Sequence, residues 1–144
     1  MVVNICLTIG AKVSAKKMMA GLNSLNGLKS WWTSDTSGDT AEGGTILFRF
    51  DGAGLDMKVL ESSGHKITWQ CAAGPDEWIG TKIHFSVEEN DGDSNLMFTH
   101  TGWAEETPFH HHCSMKWASF LLSMKHYLET GKGRPFPNDI QIAA

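Results

Sequence analysis

Apolar residues alternate with polar ones in VVNICLTIG, residues 2–10, where Val3, Ile5, Leu7 and Ile9 share one face and Asn4 and Thr8 the other. A period of two predicts a first β-strand. Beyond it Ser14 is placed to cap a helix, and Met18, Leu22, Leu25, Leu28 and Trp32 recur at spacings of three and four. Gly21, Asn23 and Gly27 interrupt that stripe, which predicts two short helices in place of one long one. The polar stretch 33–44 reads as a loop.

Alternation then returns. Strands are expected at 45–50, 55–61, 65–72, 79–88 and 95–103, joined by the turn-rich segments DGAG, SSG, AGPDE and ENDGDS. Four of them carry a continuous apolar face, formed by Ile46, Phe48 and Phe50, by Leu55, Met57 and Val59, by Ile67, Trp69 and Cys71, and by Ile79, Ile83, Phe85 and Val87. In the last strand Leu96, Phe98 and His100 compete with Met97, Thr99, Thr101 and Trp103, and the first set is favoured because Leu96 and Phe98 are both apolar. The acidic ENDGDS lacks the ligand spacing and terminal Glu of an EF-hand, so a solvated turn is expected.

A long helix is expected over 108–130, with Thr107 as its cap, Pro108 at its first position, Lys125 and His126 near its negative end, and Gly131 beyond its end. At 1.5 Å per residue it would reach about 35 Å, enough to cross the whole sheet. Its apolar arc contains Phe109, Cys113, Trp117, Phe120, Leu121, Met124, Tyr127 and Leu128. His110 falls inside the arc, whereas a step of about 100° per residue directs His111 and His112 away from it and from each other. Successive helix residues therefore should not converge on one ion, and no local three-histidine metal site is expected. His110 with Cys113 is the one inward pair, and it would need His100 from the sheet to complete a ligand set.

Composition narrows the classes. A chain of 144 residues with 41% hydrophobic and 19% charged residues suits one folded domain, 1–144. The net charge of −4 argues against nucleic acid as a partner. No apolar run reaches membrane-spanning length, and the amino-terminal segment lacks a secretory pattern, so a cytoplasmic location is expected. Cys6, Cys71 and Cys113 form no CxxC pair and read as reduced thiols. Six tryptophans supply rings for a core or for an apolar pocket.

The element order, together with NGLKSWWTSD, DEWIGTKIHFSVEENDGDSNLMFTHTGW and CSMKWASFLLSMKHYLETGKGRPFP, resembles the SRPBCC (START-like) superfamily. The resemblance is to its branch named after the activator of the ninety-kilodalton heat-shock protein's ATPase. It implies an α+β helix-grip (Bet v 1-like) fold, in which a curved antiparallel sheet wraps a long C-terminal helix, with two short helices after the first strand. It also implies an apolar cavity between sheet and helix that binds hydrophobic small molecules and in some members supports catalysis. In the co-chaperones such a domain is one half of a longer protein, so chaperone activation is not expected of 144 residues.

The leading expectation is a binder of a small apolar or aromatic ligand, with no cofactor and no metal. Its candidate walls are Trp32, Phe48, Met57, Trp69, Phe85, Phe98, Cys113, Trp117, Phe120, Leu121 and Met124, with His100 and His110 as polar handles. The alternative is an enzyme of the polyketide cyclase or hydrolase type, with His100 or His110 as general base and Glu61 as the nearest carboxylate. Met115 and Leu122, apolar on the outer side of the long helix, raise the possibility of a homodimer.

Overall fold

The computed structural model describes residues 3–144. Val2, in the expected first strand, lies outside the described residues. Among the described residues the elements run β1 (Val3–Ala11), α1 (Ala15–Asn23), α2 (Leu25–Trp31), β2 (Thr36–Gly38), β3 (Thr45–Phe50), β4 (Ala53–Ser62), β5 (Lys66–Ala73), a short 3-10 turn (Asp76–Trp78), β6 (Lys82–Asn90), β7 (Asp93–Trp103) and α3 (Pro108–Thr130). The strands form one curved antiparallel sheet in the order β1-β7-β6-β5-β4-β3-β2, with α3 laid across it in the helix-grip arrangement.

Local chemistry explains most of these boundaries. The side chain of Ser14 accepts from the Lys17 N–H to open α1, and that of Thr107 accepts from the His110 N–H to open α3. Gly131, in the left-handed conformation, closes α3 with its N–H donated to the Tyr127 carbonyl. The β3–β4 and β6–β7 hairpins turn on Asp-Gly pairs, Asp51–Gly52 and Asp91–Gly92, all four residues at positive φ, as a two-residue turn of type I′ requires. Gly27 serves close approach: a Cβ there would lie 2.7 Å from the Gly21 Cα, so its absence lets α2 settle against α1.

Three expectations are corrected. The stretch 33–44 is not all loop, because Thr36–Gly38 pairs with Ile46–Phe48 as a short edge strand. The strand expected over 79–88 starts at Lys82. The preceding segment turns instead, so Ile79 is 49% exposed and belongs to no inner face. The loop 104–107 also brings Glu106 close to the first turn of α3, so two successive histidines can be approached by one carboxylate, which the 100° step did not anticipate.

The inner face otherwise follows the apolar pattern. Ile46, Phe48, Met57, Val59, Ile67, Trp69, Cys71, Ile83, Phe85 and Val87 are buried. In β7 the inward set is Leu96, Phe98 and His100, with Met97 exposed. Trp103 is nevertheless buried as well. Gly102 at φ +90 and a register shift between Val3 and Ile5 of β1 mark a bulge that turns Trp103 inward.

Candidate functional site

α3 carries Cys113, Trp117, Phe120, Leu121, Met124 and Leu128 on its buried side, over the apolar face of the sheet. Most of the space beneath it is filled. Trp32, at the C-terminal cap of α2, is the centre of the packing: its ring lies 4.2 Å from Phe48, 4.9 Å from Trp117 and stacked 6.1 Å from Trp69, centroid to centroid. Phe98 adds rings at 4.6 Å from Trp117 and 5.5 Å from Phe85.

Open volume remains towards the N-terminal half of α3. A cavity of about 460 Å³ is bounded by Trp32, by Phe50, Ala53, Gly54 and Leu55 of the β3–β4 hairpin, by Pro75 and Trp78, and by Phe109, His112, Cys113, Lys116, Trp117 and Phe120 of α3. The C-terminal segment supplies its last wall through Phe136, Asp139, Gln141, Ile142 and Ala143. Lys116 holds that wall in place, with Nζ donating to the Asp139 carboxylate at 2.5 Å and to the Ile140 carbonyl at 2.7 Å. At its other end the segment is pinned by the Phe136 N–H donating to the Trp32 carbonyl and by the Phe136 ring edge-on to Phe50.

Of the wall residues expected from sequence, Trp32, Cys113, Trp117 and Phe120 line this cavity. Phe48, Met57, Trp69, Phe85, Phe98, Leu121 and Met124 lie in the packed core. His112, expected to point away, stands at the cavity wall. Trp78 and the C-terminal segment were not anticipated as walls. The only hint was the apolar Phe136 in GRPFP, because a segment without periodicity gives no face to read.

His100 is fully buried and both its ring nitrogens are used. Trp117 Nε1–H donates to Nδ1 at 3.1 Å, which leaves the ring proton on Nε2 to donate to Thr81 Oγ1 at 2.8 Å, while the Thr81 hydroxyl donates onward to the Trp78 carbonyl at 2.6 Å. Burial, with smaller contributions from His110 and His84, pushes its pKa down to about 3. The chain Trp117–His100–Thr81 thus has no free lone pair for a general base, and Nδ1 has no capacity left for a metal. His100 therefore does not complete a set with His110 and Cys113. Glu61 lies near His84, a residue of the opposite sheet face bonded to Thr68 and Thr101.

The family model for Activator of Hsp90 ATPase homolog 1-like protein matches residues 22–129, which include the end of α1, all of α2, all of the sheet beyond β1, and all but the last residue of α3. The chain belongs to this family. The solution structure of the Aha1 dimer from Colwellia psychrerythraea is 46% identical to this member of the Aha1-like family and superposes with a TM-score of 0.84, covering 91% of this chain and 99% of that one. The fold is also that of the protein SSP2350 from Staphylococcus saprophyticus, at 18% identity, a TM-score of 0.76 and coverage of 91% and 95%. CalU16 from Micromonospora echinospora shares it at 13% identity and a TM-score of 0.73, with 87% of this chain and 73% of that chain covered. None of the curated proteins compared matches the chain.

Burial pushes the Cys113 thiol up to about 11, so it stays protonated near neutral pH and is a weak nucleophile. Cys71, buried in β5, is likewise pushed up to about 11. His110 is buried on α3, with neither ring nitrogen hydrogen-bonded to any described residue. Among the described residues no helix is long and apolar enough to cross a membrane.

Proposed function

We propose that this Aha1-like protein binds a small apolar or aromatic molecule in the cavity between the first half of α3, the β3–β4 hairpin and the C-terminal segment. The observation that carries this reading is the aromatic wall of Trp32, Phe50, Trp78, Phe109, Trp117 and Phe120 around about 460 Å³ of open space, a volume within the usual range of small-molecule sites. Trp32, Cys113, Trp117 and Phe120 are the expected contacts. Lys116 and Asp139, which both line the cavity, neutralise each other, which favours an uncharged ligand.

The test is native mass spectrometry of the full chain, followed by quenching of tryptophan emission with a panel of uncharged aromatic compounds. Ala53→Phe fills the mouth from an exposed position and so leaves the core intact. Binding by the parent, weakened at least about tenfold in this variant by steric loss of the space, supports the reading. No response to the panel, or equal affinity in Ala53→Phe, removes it.

A homodimer is proposed beside it, because the 46% identical Colwellia protein was solved as a dimer and because Met115 and Leu122 are 60% and 54% exposed on the outer side of α3. Sedimentation should give a mass that rises with concentration, and Leu122→Glu should return it to the monomer value by burying an unpaired charge in the contact. A parent that stays monomeric at all concentrations overturns this assignment.

A further inference from the structure

Among the described residues His110 is the one side chain with two buried polar atoms that both lack a hydrogen-bond partner. It is 6% exposed, and both Nδ1 and Nε2 are buried with no hydrogen-bond partner among the described residues. Buried polar atoms are ordinarily paired, so an imidazole orphaned at both nitrogens calls for a reason. Trp103 meets its ring edge-on, with centroids 4.9 Å apart, a contact that satisfies neither nitrogen.

Two other donors stand beside it. His111 Nε2 lies 2.9 Å from Glu106 Oε1, and one ligand atom from each of Glu106, His110 and His111 falls within 4.8 Å of the other two. A surface ion pair accounts for His111 and Glu106, which are exposed, but leaves His110 unexplained. An ion shared by all three donors gives one of the two His110 nitrogens a partner.

We propose that Glu106, His110 and His111 bind a single divalent metal ion of the zinc class. Two imidazole nitrogens and one carboxylate oxygen are a donor set that zinc accepts, with metal–ligand distances of about 2.0–2.2 Å. Donors around such an ion stand roughly 3–3.5 Å apart, so the present separations need only small rotations of His111 and Glu106 side chains that are free to move in solvent. The anionic Glu106 offsets the positive end of the α3 dipole, which alone would oppose a cation at a helix N-terminus. Glu77, which accepts from Thr107 Oγ1 at 2.7 Å, adds a second negative charge nearby. His112 contributes no ligand: its ring stacks on Phe109 at 6.2 Å and faces the cavity.

Calorimetric titration of the full chain, without a polyhistidine tag, with zinc chloride tests the site, supported by the absorption spectrum with cobalt(II). The expected result is saturation at one equivalent. Glu106→Gln and His111→Ala, both at exposed positions, should each weaken binding at least about tenfold, as loss of a ligand does, while His112→Ala leaves it within about twofold. Absence of saturable binding overturns the proposal. So does a loss in His112→Ala equal to that in His111→Ala, or an unchanged affinity in Glu106→Gln, either of which would mean loose chelation by the histidine run.

Discussion

Acidification from pH 6.5 to pH 4.5 is expected to remove about 2 kcal/mol of folding stability through His100 alone, while most carboxylates are still ionised. Burial holds this imidazole neutral in the folded protein down to about pH 3, whereas the unfolded chain takes up the proton near pH 6.5. The unfolded state therefore binds more protons across that window, so the contribution is complete above pH 6.5 and is lost progressively as pH falls towards 3. The geometry supplies the cause. A proton added at Nδ1 would face the Trp117 N–H, setting donor against donor in a site with no water-exposed alternative.

Urea unfolding at intervals of half a pH unit measures the slope, and His100→Asn separates its origin. That variant should be less stable at pH 7 yet have a flatter profile below pH 6.5. His84, whose pKa is also lowered by burial and by Lys66 and Lys82, adds to the slope in the same direction, so His84→Asn serves as the comparison. If His100→Asn keeps the full acid slope of the parent, the buried relay does not control it.

The second large effect concerns what is packed and what is open under α3. Phe98→Ala is expected to cost about 3–5 kcal/mol, because Phe98 is enclosed by Phe85 and Trp117 and the deletion leaves a hole that the sheet cannot close. For a chain of this length that is a fall in Tm of about 10–17 °C. Phe120→Ala should cost at least about 1 kcal/mol less, since its ring borders space that is already open. The same change should weaken ligand binding, because it removes a wall. Equal losses of stability in the two variants would mean that the interior is not divided into a packed floor and an open end.

Much of this architecture could be read from local pattern. Ser14, Thr107, Pro108 and Gly131 act within one turn of where they stand, so their capping roles were visible without tertiary information. The inner faces of β3 to β7 followed from alternation, which depends on the pleat alone. β2 was hidden because three residues, Thr36–Gly38, are too few to show a period, and it exists only through pairing with β3. Ile79 misled because it keeps the parity of Ile83 and Phe85, although Gly80 at φ +82 breaks the strand between them.

The site was legible in kind but not in place. Aromatic residues sufficient for a pocket were evident, yet Phe48, Trp69, Phe85 and Phe98 share the same apolar signature as Trp32 and Phe120. Whether a buried ring packs solidly or borders a hollow depends on the sum of the facing volumes, which no single strand or helix contains. His110 shows the same division. Its inward direction followed from the helical step, but its orphaned nitrogens and its nearness to Glu106 arise from how the loop 104–107 enters α3.

What the chain determined by itself was the set of elements that short-range forces specify: capped helices, two-residue Asp-Gly turns, and strands with one apolar side. Tertiary structure alone decided that the C-terminal segment would close one end of the helix–sheet interface, that His100 would be neutral and fully bonded, and that open space would remain beside Trp32 and Trp117. The reason is one of range. Capping, turn geometry and alternation act over a few residues, whereas cavities and buried hydrogen-bond chains join residues far apart in sequence, as Lys116 and Asp139 or Thr81 and Trp117 do here.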